Sequence, residues 1–196
     1  MADRRSVILD AALRVIAEQG MRALTHRAVD AAAGLPVGST SYYFRSRAAL
    51  LTGCVAWLLQ LDLEQDLPIA EAAVAGGGDV VDALAGVLVE FGVRMATVER
   101  HRTLARYELG LAGSRDAALR IELVRGGDVI RRRGAELLAR AGAANPDAAC
   151  AEVAAVLDGL VYTALVRGLD DPDGLVAWLR PPLERLVRSL PGLGAG

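Results

Sequence analysis

Apolar residues in this chain recur at spacings of three and four, and that rhythm constrains the fold more than any other feature. Val80, Leu84, Val87, Leu88, Phe91 and Met95 make one such stripe. Ile8, Ala12, Val15 and Ile16 make another, and Cys150, Val153, Leu157, Leu160, Val161 and Ala164 a third. A period of 3.6 places each set on one face of a helix, and no long stretch alternates with the period of two that a half-buried strand needs. The spacing predicts an all-α chain of about nine helices.

Glycine, proline and small polar residues punctuate the stripes. The first helix is expected from about Arg4 to Gln19, stopped by Gly20. Thr25 reads as the N-cap of a second helix through Ala33, ended by Gly34, and a short third covers about Val37 to Tyr43. Ser46 caps a long fourth helix carrying Leu50, Leu51, Cys54, Leu58 and Leu61, up to Pro68. Ala75-Gly76-Gly77-Gly78 reads as a flexible stretch. Beyond it come the Val80–Met95 stripe, a shorter helix near His101–Leu111, and a long one from about Arg115 to Ala141, where Gly126-Gly127 is the place for any bend. Asn145-Pro146-Asp147 starts the eighth helix. Asp171-Pro172-Asp173-Gly174 reads as a turn before the last, which carries Leu175, Trp178, Leu179, Leu183, Leu186, Val187 and Leu190. Pro181-Pro182 is expected to kink or break that helix, since proline removes an N–H and clashes with the turn above.

The bulk numbers exclude several classes. With 196 residues, 53% of them hydrophobic, the chain can bury a sizeable core. No run reaches the roughly 18 uncharged apolar residues of a typical membrane span. The start, Met1-Ala2-Asp3-Arg4-Arg5-Ser6, leads into a segment broken by Asp10, Arg14 and Glu18, unlike a signal peptide. A cytoplasmic protein is expected. Cys54 and Cys150 are the only cysteines and His26 and His101 the only histidines, far apart in sequence, which predicts no metal site and no disulfide. Net charge is −2, yet residues 1–50 hold seven arginines against four acids. A basic head on an acidic body suits nucleic-acid contact confined to one end.

That head contains Leu24-Thr25-His26-Arg27-Ala28-Val29-Asp30-Ala31-Ala32-Ala33-Gly34-Leu35-Pro36-Val37-Gly38-Ser39-Thr40-Ser41-Tyr42-Tyr43-Phe44. Two short helices joined by a few residues with a glycine form a helix-turn-helix, whose second helix enters the major groove. Leu24, Val29, Leu35 and Phe44 supply an apolar core beneath it. The helix start near Thr25 offers free N–H groups to a phosphate. Ser39, Thr40 and Ser41 are short hydroxyls suited to base edges or phosphates. Arg27 is the candidate for a bidentate guanine contact, Gly38 allows close approach, and Arg47 opens the fourth helix at the groove edge. Two helices around a glycine turn also occur in many proteins that never touch DNA, so the geometry alone leaves the function open.

Residues 4–52 also resemble the N-terminal domain of TetR-family regulators. The matching features are Ile8-Leu9-Asp10-Ala11-Ala12, Glu18-Gln19-Gly20, the Leu24-Thr25 start, Ala33-Gly34, Gly38-Ser39, Tyr42-Tyr43-Phe44, and Ser46-Arg47 followed by Leu50-Leu51. The departures are Pro36 where a small polar cap is common, Arg47 where lysine is common, and Ser41 where an aromatic is usual. The resemblance implies a three-helix DNA-binding domain over 1–48 and a helical ligand-sensing and dimerisation domain over 49–196. It implies that Thr25 and Arg27 contact phosphate and base, that Val37, Ser39 and Thr40 face bases or backbone, and that Tyr42, Tyr43 and Arg47 hold phosphates. It implies a homodimer through helices near 147–168 and 173–190, a near-palindromic duplex DNA partner, an unidentified small-molecule effector in place of a cofactor, and release of a repressor by that effector.

For the effector, Arg94, His101, Arg102, Arg106 and Tyr107 form a polar patch, and Trp57, Phe91 and Met95 are apolar neighbours in the pattern. The competing reading of the patch is internal ion pairing with Glu99 and Glu108. Two other functions stand as alternatives. One is an architectural DNA binder without sequence preference, which the negative net charge disfavours. The other is a small helical enzyme using His101, which no nucleophile motif, phosphate loop or carboxylate pair accompanies.

Overall fold

The computed structural model describes residues 3–76 and 78–193; Met1 and Ala2 of the N-terminal segment, Gly77 of the expected flexible stretch, and 194–196 lie outside the described residues. The helices are α1 Arg4–Gln19, α2 His26–Ala32, α3 Ser39–Tyr43, α4 Arg47–Leu61, α5 Leu67–Ala75, α6 Val80–Ala96, α7 Arg100–Gly113, α8 Ala117–Arg140, α9 Pro146–Arg167 and α10 Pro172–Ser189. A 3₁₀ turn occupies Met21–Ala23 and a π-helical stretch Asp62–Asp66. Because α4 passes through the π stretch into α5, the ten segments make nine uninterrupted helical stretches, and the described residues hold no strand.

Capping follows the predicted chemistry. The Thr25 hydroxyl accepts from the Ala28 N–H at 3.1 Å and the Ser46 hydroxyl from Ala49 at 3.1 Å. Asn145 accepts from Ala148 at 3.3 Å, with Pro146 at the first helical turn of α9. Each bond satisfies one of the N–H groups that a helix start leaves without a partner.

Two proline expectations fail and a third is narrowed, each for a local reason. Pro68 does not end a helix. It sits in the first turn of α5, directly after the π stretch, where a missing N–H interrupts no α-helical ladder. Asp171-Pro172-Asp173-Gly174 is not a separate turn but the start of α10, with the Asp171 carboxylate accepting from Gly174 N–H at 2.7 Å. Pro181-Pro182 lies inside α10, which continues to Ser189, so of the expected kink or break the break does not occur. Pro181 is exposed, so water can solvate the carbonyl its ring deprives of a partner. Leu175, Leu179, Leu183 and Val187, all within 1% of complete burial, anchor the helix on both sides.

The chain divides into two compact units, Met1–Leu61 with Arg100–Gly127, and Asp62–Glu99 with Asp128–Gly196. This division by packing differs from the 1–48 and 49–196 split, because α7 lies along α1 and touches α4. In the first unit Ile8, Leu13, Ile16, Leu24, Leu50 and Leu109 are fully buried. Gly53 on α4 allows the close approach there: a Cβ would meet the Phe44 ring at 2.7 Å and Leu9 at 3.0 Å.

In the second unit α10 lies along α6 and both touch α9. Gly92 is the contact point, where a Cβ would meet Leu179 at 2.7 Å. Only Ala149, Val161 and Ala164 of α9 are buried. Its most apolar 18-residue window has a mean hydropathy of 1.7 with 22% of the window buried, so by length and composition it is the one described helix long and apolar enough to cross a membrane.

Candidate nucleic-acid interface

The recognition element is built from two helices too short to persist alone. Isolated helices below about 12 residues are marginal in water, and α2 has seven residues and α3 five. Gly34 (φ 65°) and Gly38 (φ 95°) turn the chain between them through left-handed conformations that favour glycine. Gly38 thereby starts α3 at Ser39, two residues later than expected. Val29, Leu24 and Phe44 are buried beneath the pair, and Leu35 packs against the same core.

Side chains then pin α3. Asp30 on α2 is 2% exposed. Its Oδ2 accepts from the Gly38 N–H at 2.7 Å, and its Oδ1 accepts from the Thr40 N–H at 2.7 Å and the Thr40 hydroxyl at 2.6 Å. Burial by itself raises the Asp30 carboxyl. The Thr40 hydroxyl, the two N–H groups and the nearby His26 outweigh burial and hold it below the ordinary 3.8. His26 Nε2 donates to the Phe44 carbonyl at 2.6 Å.

This arrangement sorts the expected contact residues. Val37 is 84% exposed and Tyr42 80%, and Thr25, Arg27 and Gly38 are exposed as well. Ser39 is half-buried, with its hydroxyl bonded to the Pro36 carbonyl at 2.7 Å. Tyr43 is half-buried against the core and meets Tyr42 edge-on, with ring centroids 5.1 Å apart. Thr40 must be corrected: it is completely buried, and its hydroxyl is spent on Asp30, so it does not face a base or the DNA backbone. Ser41 is the exposed hydroxyl of α3 instead. Arg47 is exposed, but its guanidinium donates to the carbonyls of Met21 at 2.5 Å and Leu24 at 3.4 Å, tying α4 to the loop before α2.

Sequence reading passed over His26 and Asp30. The available signal was an acid between Val29 and Ala31 on a helix of small residues, four positions after a histidine and so on the same face. It also passed over Arg5, whose guanidinium stands 4.8 Å above the Phe44 ring. Arg4, Arg5, Arg22, Arg27 and Arg45 are exposed in this unit, an arginine set able to neutralise phosphates.

The expected effector residues fall in both units. Trp57, His101, Arg102, Arg106 and Tyr107 belong to the first, and Phe91, Arg94 and Met95 to the second. Trp57 lines a cleft of about 350 Å³ whose other walls include Arg5, Leu9, Gly53 and Ala56. His101 Nε2 lies 3.6 Å from Asp10 Oδ1, beyond hydrogen-bond reach. Desolvation and then Arg14 lower its pKa, with Asp10 opposing. Arg94 pairs with Asp66 at 3.0 Å and with Glu99, as the ion-pairing reading of this patch expected for Glu99. Phe91 packs on a small cluster of Ala70, Val87 and Leu137.

The model of bacterial regulatory proteins of the tetR family matches residues 8–54, and that of the tetracyclin repressor-like C-terminal domain matches 78–191. The chain belongs to the TetR family. The second match alone spans more than half of it. This TetR-family chain is a DNA-binding transcriptional regulator. Among solved structures, the multidrug binding protein EbrR complexed with proflavin is 31% identical, with a TM-score of 0.56 over 94% of this chain and 99% of that one. A TetR-family member from Streptomyces coelicolor A3 is 27% identical, with a TM-score of 0.66 over 94% and 98%. The fatty acid degradation regulator FadR from Bacillus halodurans shares the fold at 18% identity, with a TM-score of 0.78 over 98% of each chain. No curated protein sequence matches the chain.

Proposed function

We propose that this regulator is a cytoplasmic repressor that binds a near-palindromic duplex as a homodimer and releases it when a small molecule occupies the body. The exposed face of α3, with Ser41 and Tyr42 standing clear of a pinned helix and Val37 exposed in the turn before it, carries the reading. Arg27 and Thr25 flank that face from α2 and contact base and phosphate, while Tyr43 and Arg47 reach the backbone from its far end. Dimerisation through α9 and α10 is supported by α9, whose apolar length is mostly uncovered, with Tyr162 and Val166 exposed. Covering such a surface with a second copy is the usual route to a stable two-fold interface. The EbrR complex with proflavin supports an effector of small-molecule size.

Selection from a random duplex library with the full chain tests this reading. The expected product is a near-palindrome with half-sites one helical turn, roughly 34–36 Å, apart. Sedimentation at micromolar concentration should give a dimer. Enrichment of no sequence overturns the base-reading role, and a monomeric full-affinity complex overturns the dimer.

A further inference from the structure

The hydrogen bonds around α3 have a directional logic that general core packing does not explain. Asp30 bonds the N–H groups of Gly38 and Thr40, at the start of α3, and His26 bonds the carbonyl of Phe44, at its end. Gly38 and Phe44 are the two cap residues of the helix. His26 and Asp30 are four residues apart and so share one face of α2. One face of α2 therefore holds both ends of a five-residue helix that has almost no cohesion of its own.

We propose that Asp30 and His26 are positioning residues for DNA reading, setting the angle and register at which α3 and the turn before it offer Ser41, Tyr42 and Val37 to the major groove. The proposal rests on the base-reading role of α3. Three donors converge on the Asp30 carboxylate, so rotating α3 about its axis breaks at least the bond to the Thr40 hydroxyl or the one to the Thr40 N–H. Tilting it away from α2 breaks the His26 contact. Both side chains spend their polar atoms on α3 itself. Asp30 is buried, and its charge is absorbed by the bonds it accepts, so an acid sits in the reading head without repelling phosphates. Core contacts would keep α3 attached without these bonds. They would not select one orientation, because apolar packing is not directional.

The test uses the full chain carrying Asp30→Ala with Thr40→Val, which removes acceptor and hydroxyl together and refills part of the space with apolar atoms, and separately His26→Ala with His26→Gln as the donor-retaining control. Amide hydrogen exchange should quicken roughly tenfold or more across residues 39–44 in the first variant, while the amides of α1 and α4 stay as in the parent. The ratio of affinities for the duplex selected by the parent chain and an unselected duplex of equal length should fall about tenfold at matched salt, with the unselected affinity changed less than about threefold. His26→Gln should recover most of what His26→Ala loses. If the double variant does not fold, the His26 pair carries the same two measurements. Unchanged exchange in α3 overturns the grip. Faster exchange with an unchanged affinity ratio overturns the positioning role and leaves a structural one. A parent chain that enriches no sequence overturns base reading and the positioning role with it, whereas the exchange measurement still reports whether α2 holds α3.

Discussion

Helices α3 and α10 are held in place by opposite means. The first has five residues, one fully buried side chain, and hydrogen bonds from α2 at both caps. The second has 18 residues, two internal prolines, and a line of buried leucines against α6 and α9. A long amphipathic helix draws stability from burial, which depends on area and tolerates a lost backbone bond. A short helix that must present a surface outward cannot bury much, so a few directional polar bonds have to place it. The difference teaches where each region is fragile: α10 in its leucines, α3 in its carboxylate.

The sharpest way to break that comparison is Leu179→Ala. Its side chain is fully buried at the α6 contact, so the second unit should lose about 2–5 kcal/mol, read by hydrogen exchange in α6 and α10. Thr40→Val comes next. It deletes one bond to a buried charge and should destabilise the first unit by about 1.5–3 kcal/mol in a denaturant titration. An effect below a few tenths would mean that packing, not the polar pin, holds α3.

Pro181→Ala probes the tolerance of α10 from the other side. Restoring an N–H in an exposed turn should stabilise the second unit by about 1–3 kcal/mol, measured as slower exchange after residue 181. Loss of stability would show that α10 needs its prolines. Thr25→Ala removes the α2 cap and should cost about 1 kcal/mol in the first unit alone.

The smallest effect depends on pH. His101 is held below its ordinary 6.5 by desolvation first and Arg14 second, so the folded state favours the neutral ring. Its contribution is present above pH 6.5 and is lost as pH falls toward the lowered value. His101→Gln should flatten the decline of first-unit stability over that range. A steeper decline would place Asp10, 3.6 Å away, as the dominant partner of a charged ring.

Much of the architecture was legible in advance. Spacings of three and four gave the helices, and Thr25, Ser46 and Asn145 gave caps that the structure keeps. These are local properties, set by side chains within one or two turns of each other. Where a proline was expected to end a helix, its cost was weighed against an isolated helix. Pro68 falls where the ladder is already reset, and Pro181 falls on a helix whose buried leucines on either side hold it.

By itself, the sequence determined that the chain is helical, that its first quarter carries a helix-turn-helix with exposed arginines, and that its order of motifs is that of TetR regulators. Only tertiary structure decided which hydroxyl of α3 points inward. Thr40 and Ser41 are adjacent and chemically alike, and one bonds Asp30 in the core while the other faces solvent. A turn of 100° per residue separates their directions, but its phase is set by a partner ten residues back that the local pattern does not reveal.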